Sequence, residues 1–205
     1  RLYLITPPKI TVNTFKEDLA DACDGGDIAC IQLRLKGADR DETLRTIDTL
    51  APIARERNIA FILNDNPELA AQTGCDGVHI GQRDATYEQA RDIVGNNAIV
   101  GVTCHDKRYL AIEAAQKGAD YVAFGAFFPT STKKTTNQPE IEILDAWSTM
   151  TRVPCVAIGG ITHKNCHALI QAGADFLAVV SAIWDFRAGP GAAVRAFNDI
   201  IKQNC

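Results

Sequence analysis

The chain of 205 residues has no uncharged apolar run near the roughly 18 residues that a membrane-spanning helix needs. The best candidate, 176–184, is only strand-sized. Positive charge is not in excess. The 21 Lys and Arg stand against 25 Asp and Glu, a formal charge of −4, so neither a nucleic-acid partner nor a membrane surface is expected. The first residues, Arg1 to Thr6, lack the long apolar stretch of a secretory signal. Seven cysteines is an odd count, and none form a C-x-x-C pair. They read as small core residues in a reducing compartment, which makes the cytoplasm the expected location. No G-x-G-x-x-G follows the first strand-like segment, and no linker divides the chain. Hydrophobic residues at 46% and charged residues at 22% suit a globular protein, read here as one domain over 1–205.

A repeated unit is present. Gln72-Thr73-Gly74-Cys75-Asp76-Gly77-Val78, Gln116-Lys117-Gly118-Ala119-Asp120-Tyr121-Val122 and Gln171-Ala172-Gly173-Ala174-Asp175-Phe176-Leu177 share one pattern. Each reads as a helix end, a glycine suited to a left-handed turn, and an apolar strand. Asp24-Gly25-Gly26-Asp27-Ile28 is a weaker copy. Between the copies lie further strand-like runs at 60–63, 99–102 and 155–158, and 2–5 supplies the first. Helical periodicity is clearest at 41–57, 87–94, 106–117 and 192–202. Eight βα units of roughly 26 residues predict an α/β fold, a compact (β/α)₈ TIM barrel. A doubly wound open sheet is the alternative, disfavoured by the regularity of the units.

Chemistry in such a barrel sits at the C-terminal strand ends. After the second strand, alternation puts Gln32, Arg34 and Lys36 on one face. Two cations and an amide suit an anion, although a solvated strand end with surface ion pairs explains them equally well. Asn64-Asp65 and Gly81-Gln82-Arg83-Asp84 follow the next two strands. Two carboxylates there can share Mg²⁺ with substrate phosphate and water, whereas Asp at such positions also commonly caps the following helix. The loop 125–139 offers Thr130, Ser131, Thr132, Lys133 and Lys134 behind an apolar Phe127-Phe128-Pro129 anchor. Gly159-Gly160 and Val180-Ser181 follow the last two strands, the recurrent phosphate position of this fold. Two anion sites are therefore expected, one near strands 2 to 4 and one near strands 7 and 8.

Other features carry less. His163 and His167 could pair on a metal but lack the Glu of H-E-x-x-H. Cys104 and His105 could be nucleophile and base, yet adjacent strand residues point oppositely. His79 is expected inside the barrel.

Taken together, these segments resemble the thiamine-phosphate synthase family. The resemblance rests on Gln32-x-Arg34-x-Lys36, Asn64-Asp65, Asp76-Gly77-Val78-His79-Ile80-Gly81-Gln82-x-Asp84, Gly125-x-x-x-Pro129-Thr130-x-Thr132-Lys133, Ala157-Ile158-Gly159-Gly160-Ile161 and Ala178-Val179-Val180-Ser181. They cover nearly the whole chain, in order. The resemblance implies a (β/α)₈ barrel that joins an aminopyrimidine methyl diphosphate to a thiazole phosphate, releasing pyrophosphate. It implies that Arg34, Lys36 and Lys133 act on the diphosphate with Asn64, and that Gln32 and Thr103 meet the pyrimidine. Asp65 and Asp84 would bind Mg²⁺. Thr130, Thr132, Gly160, Val180 and Ser181 would hold the thiazole phosphate. Partners would be small phosphorylated substrates, with no nucleic acid and no membrane, and a homo-oligomer stays open. Thr103 replaces the family's usual Ser, Leu35 a frequent Glu, and Ala126-Phe127 a Pro and an aliphatic residue. A thiazole tautomerase of the same superfamily, with His105 as proton carrier, is one competing reading. A non-catalytic phosphate-ligand-binding barrel is another.

Overall fold

The computed structural model describes residues 1–130 and 138–204. Its strands are β1 (Leu2–Ile5), β2 (Ile28–Leu33), β3 (Ala60–Asn64), β4 (Gly77–Ile80), β5 (Ile99–His105), β6 (Tyr121–Gly125), β7 (Cys155–Ile158) and β8 (Phe176–Val179). All pair in parallel with their sequence neighbours, and β8 returns to β1 through Leu2↔Leu177 and Leu4↔Val179, closing the barrel. Helices alternate with the strands: α1 (Val12–Asp24), α2 (Arg40–Arg55), α3 (Pro67–Thr73), α4 (Tyr87–Val94), α5 (Arg108–Lys117), α6 (Glu142–Met150), α7 (Cys166–Gln171), α8 (Ser181–Trp184) and α9 (Pro190–Gln203). This is the expected (β/α)₈ barrel. Among the described residues no helix is long and apolar enough to cross a membrane.

Alternation along each strand sorts its residues into two shells. Leu2, Leu4, Ile31, Leu33, Val78, Ile80, Val122 and Phe124 face the helices and join one large core. Tyr3, Ile5, Cys30, Ile62, Tyr121, Ala123, Val156 and Ala178 pack against one another inside the barrel. The interior is thus filled by side chains, as an eight-stranded barrel requires.

Local chemistry places the elements. Asp39 caps α2 by accepting from the Glu42 N–H at 2.8 Å, and Asp41 and Glu42 lie in its positive first turn. A reciprocal capping box joins Thr86 and Gln89 at the start of α4. The glycines of the repeat end their helices as expected: Gly74 and Gly118 stand left-handed after α3 and α5. The repeated aspartates have a task that the sequence pattern did not reveal. Asp76, Asp120 and Asp175 accept from the backbone N–H groups of Phe61, Val100 and Cys155 at 2.7, 2.8 and 2.8 Å. Each aspartate therefore ties the start of its own strand to the start of the preceding one.

Among the strands, the largest departure from the expected boundaries is in the fifth. The fifth strand does not stop at Val102 but runs to His105, with an irregularity in its pairing between Thr103 and His105. The following helix accordingly begins at Arg108.

Candidate active site

The C-terminal strand ends open into a cleft of about 550 Å³. Gln32, the penultimate residue of β2, is buried and lines it, as does half-buried Arg34. Thr6, after β1, fixes the Arg34 backbone by accepting from its N–H at 3.0 Å. Asn64 and Asp65 line the cleft from the end of β3. Asp65 adopts φ 68°, a backbone region unfavourable for most side chains, with its N–H bonded to the His79 carbonyl at 2.8 Å. The helix-capping task falls to its neighbour Asn66, which accepts from Leu69. Asp84 accepts from the Gly81 N–H at 2.7 Å, and Thr86 rather than Asp84 caps α4. Neither aspartate is spent on a helix cap, and both line the same cleft. Among the described residues no three His, Cys, Asp or Glu cluster as a metal site. Two carboxylates beside room for substrate oxygens and water are nonetheless a donor set that Mg²⁺ accepts.

The opposite wall is built from Thr130, Gly159, Gly160, Val180 and Ser181. The Phe127 and Phe128 N–H groups donate to the carbonyls of Ile158 and Gly159, so the loop after β6 is stitched to the loop after β7. Gly160 must be glycine. Its φ is 63°, and a Cβ there would lie 2.4 Å from the Pro129 carbonyl oxygen. Thr103 and His105 line the floor from β5.

The fold therefore brings Gln32, Arg34, Asn64, Asp65, Asp84, Thr103, Thr130, Gly160, Val180 and Ser181 to one cleft. Lys36 is exposed and does not line it. Thr132 and Lys133 lie outside the described residues. Arg83 lines the cleft without having been singled out by sequence, a cation concealed within the Gly81-Asp84 turn. Burial pushes the Cys104 thiol up to about 12, which disables it as a nucleophile at neutral pH. His163 precedes α7 instead of sharing a helix face with His167, and its ring packs against Phe186 and Phe197.

Comparison with known proteins points the same way. The thiamine monophosphate synthase family matches residues 2–183. A thiamine-phosphate synthase of Rhodospirillum centenum is 56% identical over 202 residues, covering 98% of each chain. One from Hyphomonas neptunium is 46% identical over 208 residues, 99% of this chain and 94% of its own. The solved structure of a thiamine phosphate pyrophosphorylase from Pyrococcus furiosus superposes with a TM-score of 0.87 at 31% identity, covering 99% and 96% of the two chains.

Proposed function

Because the chain belongs to the thiamine monophosphate synthase family, we infer that it is a transferase that couples an aminopyrimidine methyl diphosphate to a thiazole phosphate, giving thiamine phosphate and pyrophosphate. The observation that carries this reading is a single cleft with two unlike ends. One end gathers Arg34, Asn64, Asp65 and Asp84, and the other gathers Thr130, Gly160, Val180 and Ser181. The first suits a diphosphate and the second a monophosphate.

The chemistry follows from where charge develops. Breaking the C–O bond of the diphosphate ester leaves charge on pyrophosphate, and Arg34 supplies a fixed cation against it, joined in this reading by Lys133. Asp65 and Asp84 would hold Mg²⁺, whose contribution is to neutralise diphosphate charge. Gln32 and Thr103 orient the electron-rich pyrimidine, whose amino group stabilises the cationic methylene carbon. Thr130, Thr132, Gly160, Val180 and Ser181 hold the thiazole phosphate so that the ring nitrogen faces that carbon. Orientation and electrostatics then supply the rate, and no protein nucleophile is needed.

The test is direct. Purified protein with both phosphorylated substrates and Mg²⁺ forms thiamine phosphate, and chelation stops it. Arg34→Ala and Asp65→Ala each reduce turnover by about 100-fold or more with the fold retained by circular dichroism. Absence of product under every metal condition refutes the coupling reaction. Thiazole isomerisation that is indifferent to chelation and to Asp84→Asn would assign the tautomerase activity instead.

A further inference from the structure

The barrel interior carries a polar chain whose inner links, Tyr3, Tyr121 and His79, have no task in the coupling reaction as described above. Gln32 Nε2 donates to the Tyr3 hydroxyl at 3.0 Å. The Tyr3 and Tyr121 hydroxyls bond at 2.7 Å. The Tyr121 hydroxyl meets His79 Nδ1 at 2.9 Å, and His79 Nε2 meets Thr103 Oγ1 at 2.7 Å. The chain crosses the barrel from β2 to β5, and both of its ends, Gln32 and Thr103, line the cleft. Its rings are held rigidly. Tyr3 meets Tyr121 edge to face at 5.8 Å, and His79 stacks on Tyr121 at 5.6 Å. Gly101 supplies the room, since a Cβ there would lie 1.9 Å from the Tyr121 ring. Aliphatic side chains would fill this layer without any need for matched partners.

Counting protons gives the chain a direction. Burial pushes both phenols well above their ordinary range, so each keeps its proton at neutral pH. The Gln32 N–H can only donate, so the Tyr3 oxygen accepts there. If Tyr3 donates onward to Tyr121, then Tyr121 donates to Nδ1 and the His79 Nε2–H donates to Thr103. The Thr103 proton is then left for the cleft. In the opposite direction Tyr3 accepts twice and its own proton falls to the Cys30 thiol, a poor acceptor. A chain whose bonds all run one way is strengthened along its length, and a phenol donates to imidazole better than an alcohol does. The direction from Gln32 to Thr103 is favoured.

We propose that Tyr3, Tyr121 and His79 are positioning residues that fix Thr103 as a hydrogen-bond donor and leave the Gln32 amide oxygen as an acceptor, the complement of a ring nitrogen beside an exocyclic amino group. The ligand named here rests on reading the cleft as an aminopyrimidine site. The inner chain, and not Thr103 alone, then selects which edge of the ring is bound.

The experiment combines kinetics with a tautomer measurement. Tyr121→Phe keeps the ring and deletes one link. It raises KM for the aminopyrimidine diphosphate roughly tenfold and leaves KM for the thiazole phosphate unchanged. In a Thr103→Val background the same substitution adds less than about twofold, because its effect passes through Thr103. Nitrogen-15 NMR of the wild type finds His79 protonated at Nε2 and bare at Nδ1. Equal changes in both KM values, full additivity with Thr103→Val, or an Nδ1-protonated tautomer would each overturn the proposal. Tyr3→Phe gives the same pyrimidine-only KM change by cutting the chain one link earlier, and reads the proposal should Tyr121→Phe not fold. A wild type that makes no thiamine phosphate refutes the ligand reading, while the tautomer still decides the direction of the chain.

Discussion

Single side chains decide both the joints of this barrel and the content of its cleft. Asp76 reaches back to the Phe61 N–H at 2.7 Å, a charge-assisted bond to a residue 15 positions earlier in the chain. Asp76→Ala leaves that amide without its partner and lowers unfolding free energy by about 1–2 kcal/mol, read from urea denaturation. An unchanged midpoint would show that water replaces the carboxylate at no cost. The repetition of this aspartate is plain in the sequence, but its task is not, because the partner amide belongs to a different strand. Arg34, Asn64, Asp65 and Asp84 were legible for a related reason: polar residues just past apolar runs stand out against them. Tyr3, Tyr121 and His79 were not legible as a group. Each can be put on the inner face by alternation, yet whether three inner residues touch depends on the stagger of β1, β4 and β6, which no local pattern records. Lys36 illustrates the converse, since alternation assigned it to the face of Arg34 while the strand ends at Leu33, the chain bends at 36–37, and Lys36 is left outside the cleft.

Among the secondary elements, those with chemical punctuation were read well. α4 forms over the expected residues because Thr86 and Gln89 close a capping box in front of it. Thr86→Ala removes that acceptor and costs about 1 kcal/mol by thermal denaturation. Because α4 directly follows the loop bearing Asp84, pairing that measurement with turnover separates the stability of the helix from the placement of the carboxylate. α3, α7 and α8 span seven, six and four residues, too few for a helical period to emerge from composition. β5 outran its expected end because Thr103-Cys104-His105 reads as a polar break. In the barrel Cys104 is fully buried against the helices, while Thr103 and His105 line the cleft. A strand that ends inside a site loses the apolar signature by which strands are recognised, and for the same reason it carries the chemistry.

On the scale of the whole molecule, two concentric shells share one set of strands, and both bury thiols. Burial pushes Cys23 up to about 11 and Cys104 and Cys155 up to about 12, and raises Cys30 inside the barrel as well. In the unfolded chain such thiols ionise near 8.5. Above that pH the folded state holds protons that the unfolded state has released, so unfolding gains from every further rise. The thiol contribution to stability is therefore flat below about pH 8 and falls as pH climbs through 8.5 toward 12, by up to about 1.4 kcal/mol per pH unit for each thiol. Urea midpoints at pH 7, 9 and 10 check this, and a level profile would contradict the burial of these groups.

The closing pair of strands also governs the order in which the molecule can be made. β1 is held on one side by β2 and on the other by β8, with the Leu177 N–H donating to the Arg1 carbonyl. While a ribosome extends the chain, β1 keeps one open edge until residues 176–179 have emerged, and so does β7. Unpaired edges are the parts of a sheet most inclined to join other chains. The outer wall of the cleft, Val180 and Ser181, follows immediately after the strand that removes both edges. The nascent chain thus completes its ligand cleft and loses its self-association hazard in one step, once β8 has emerged.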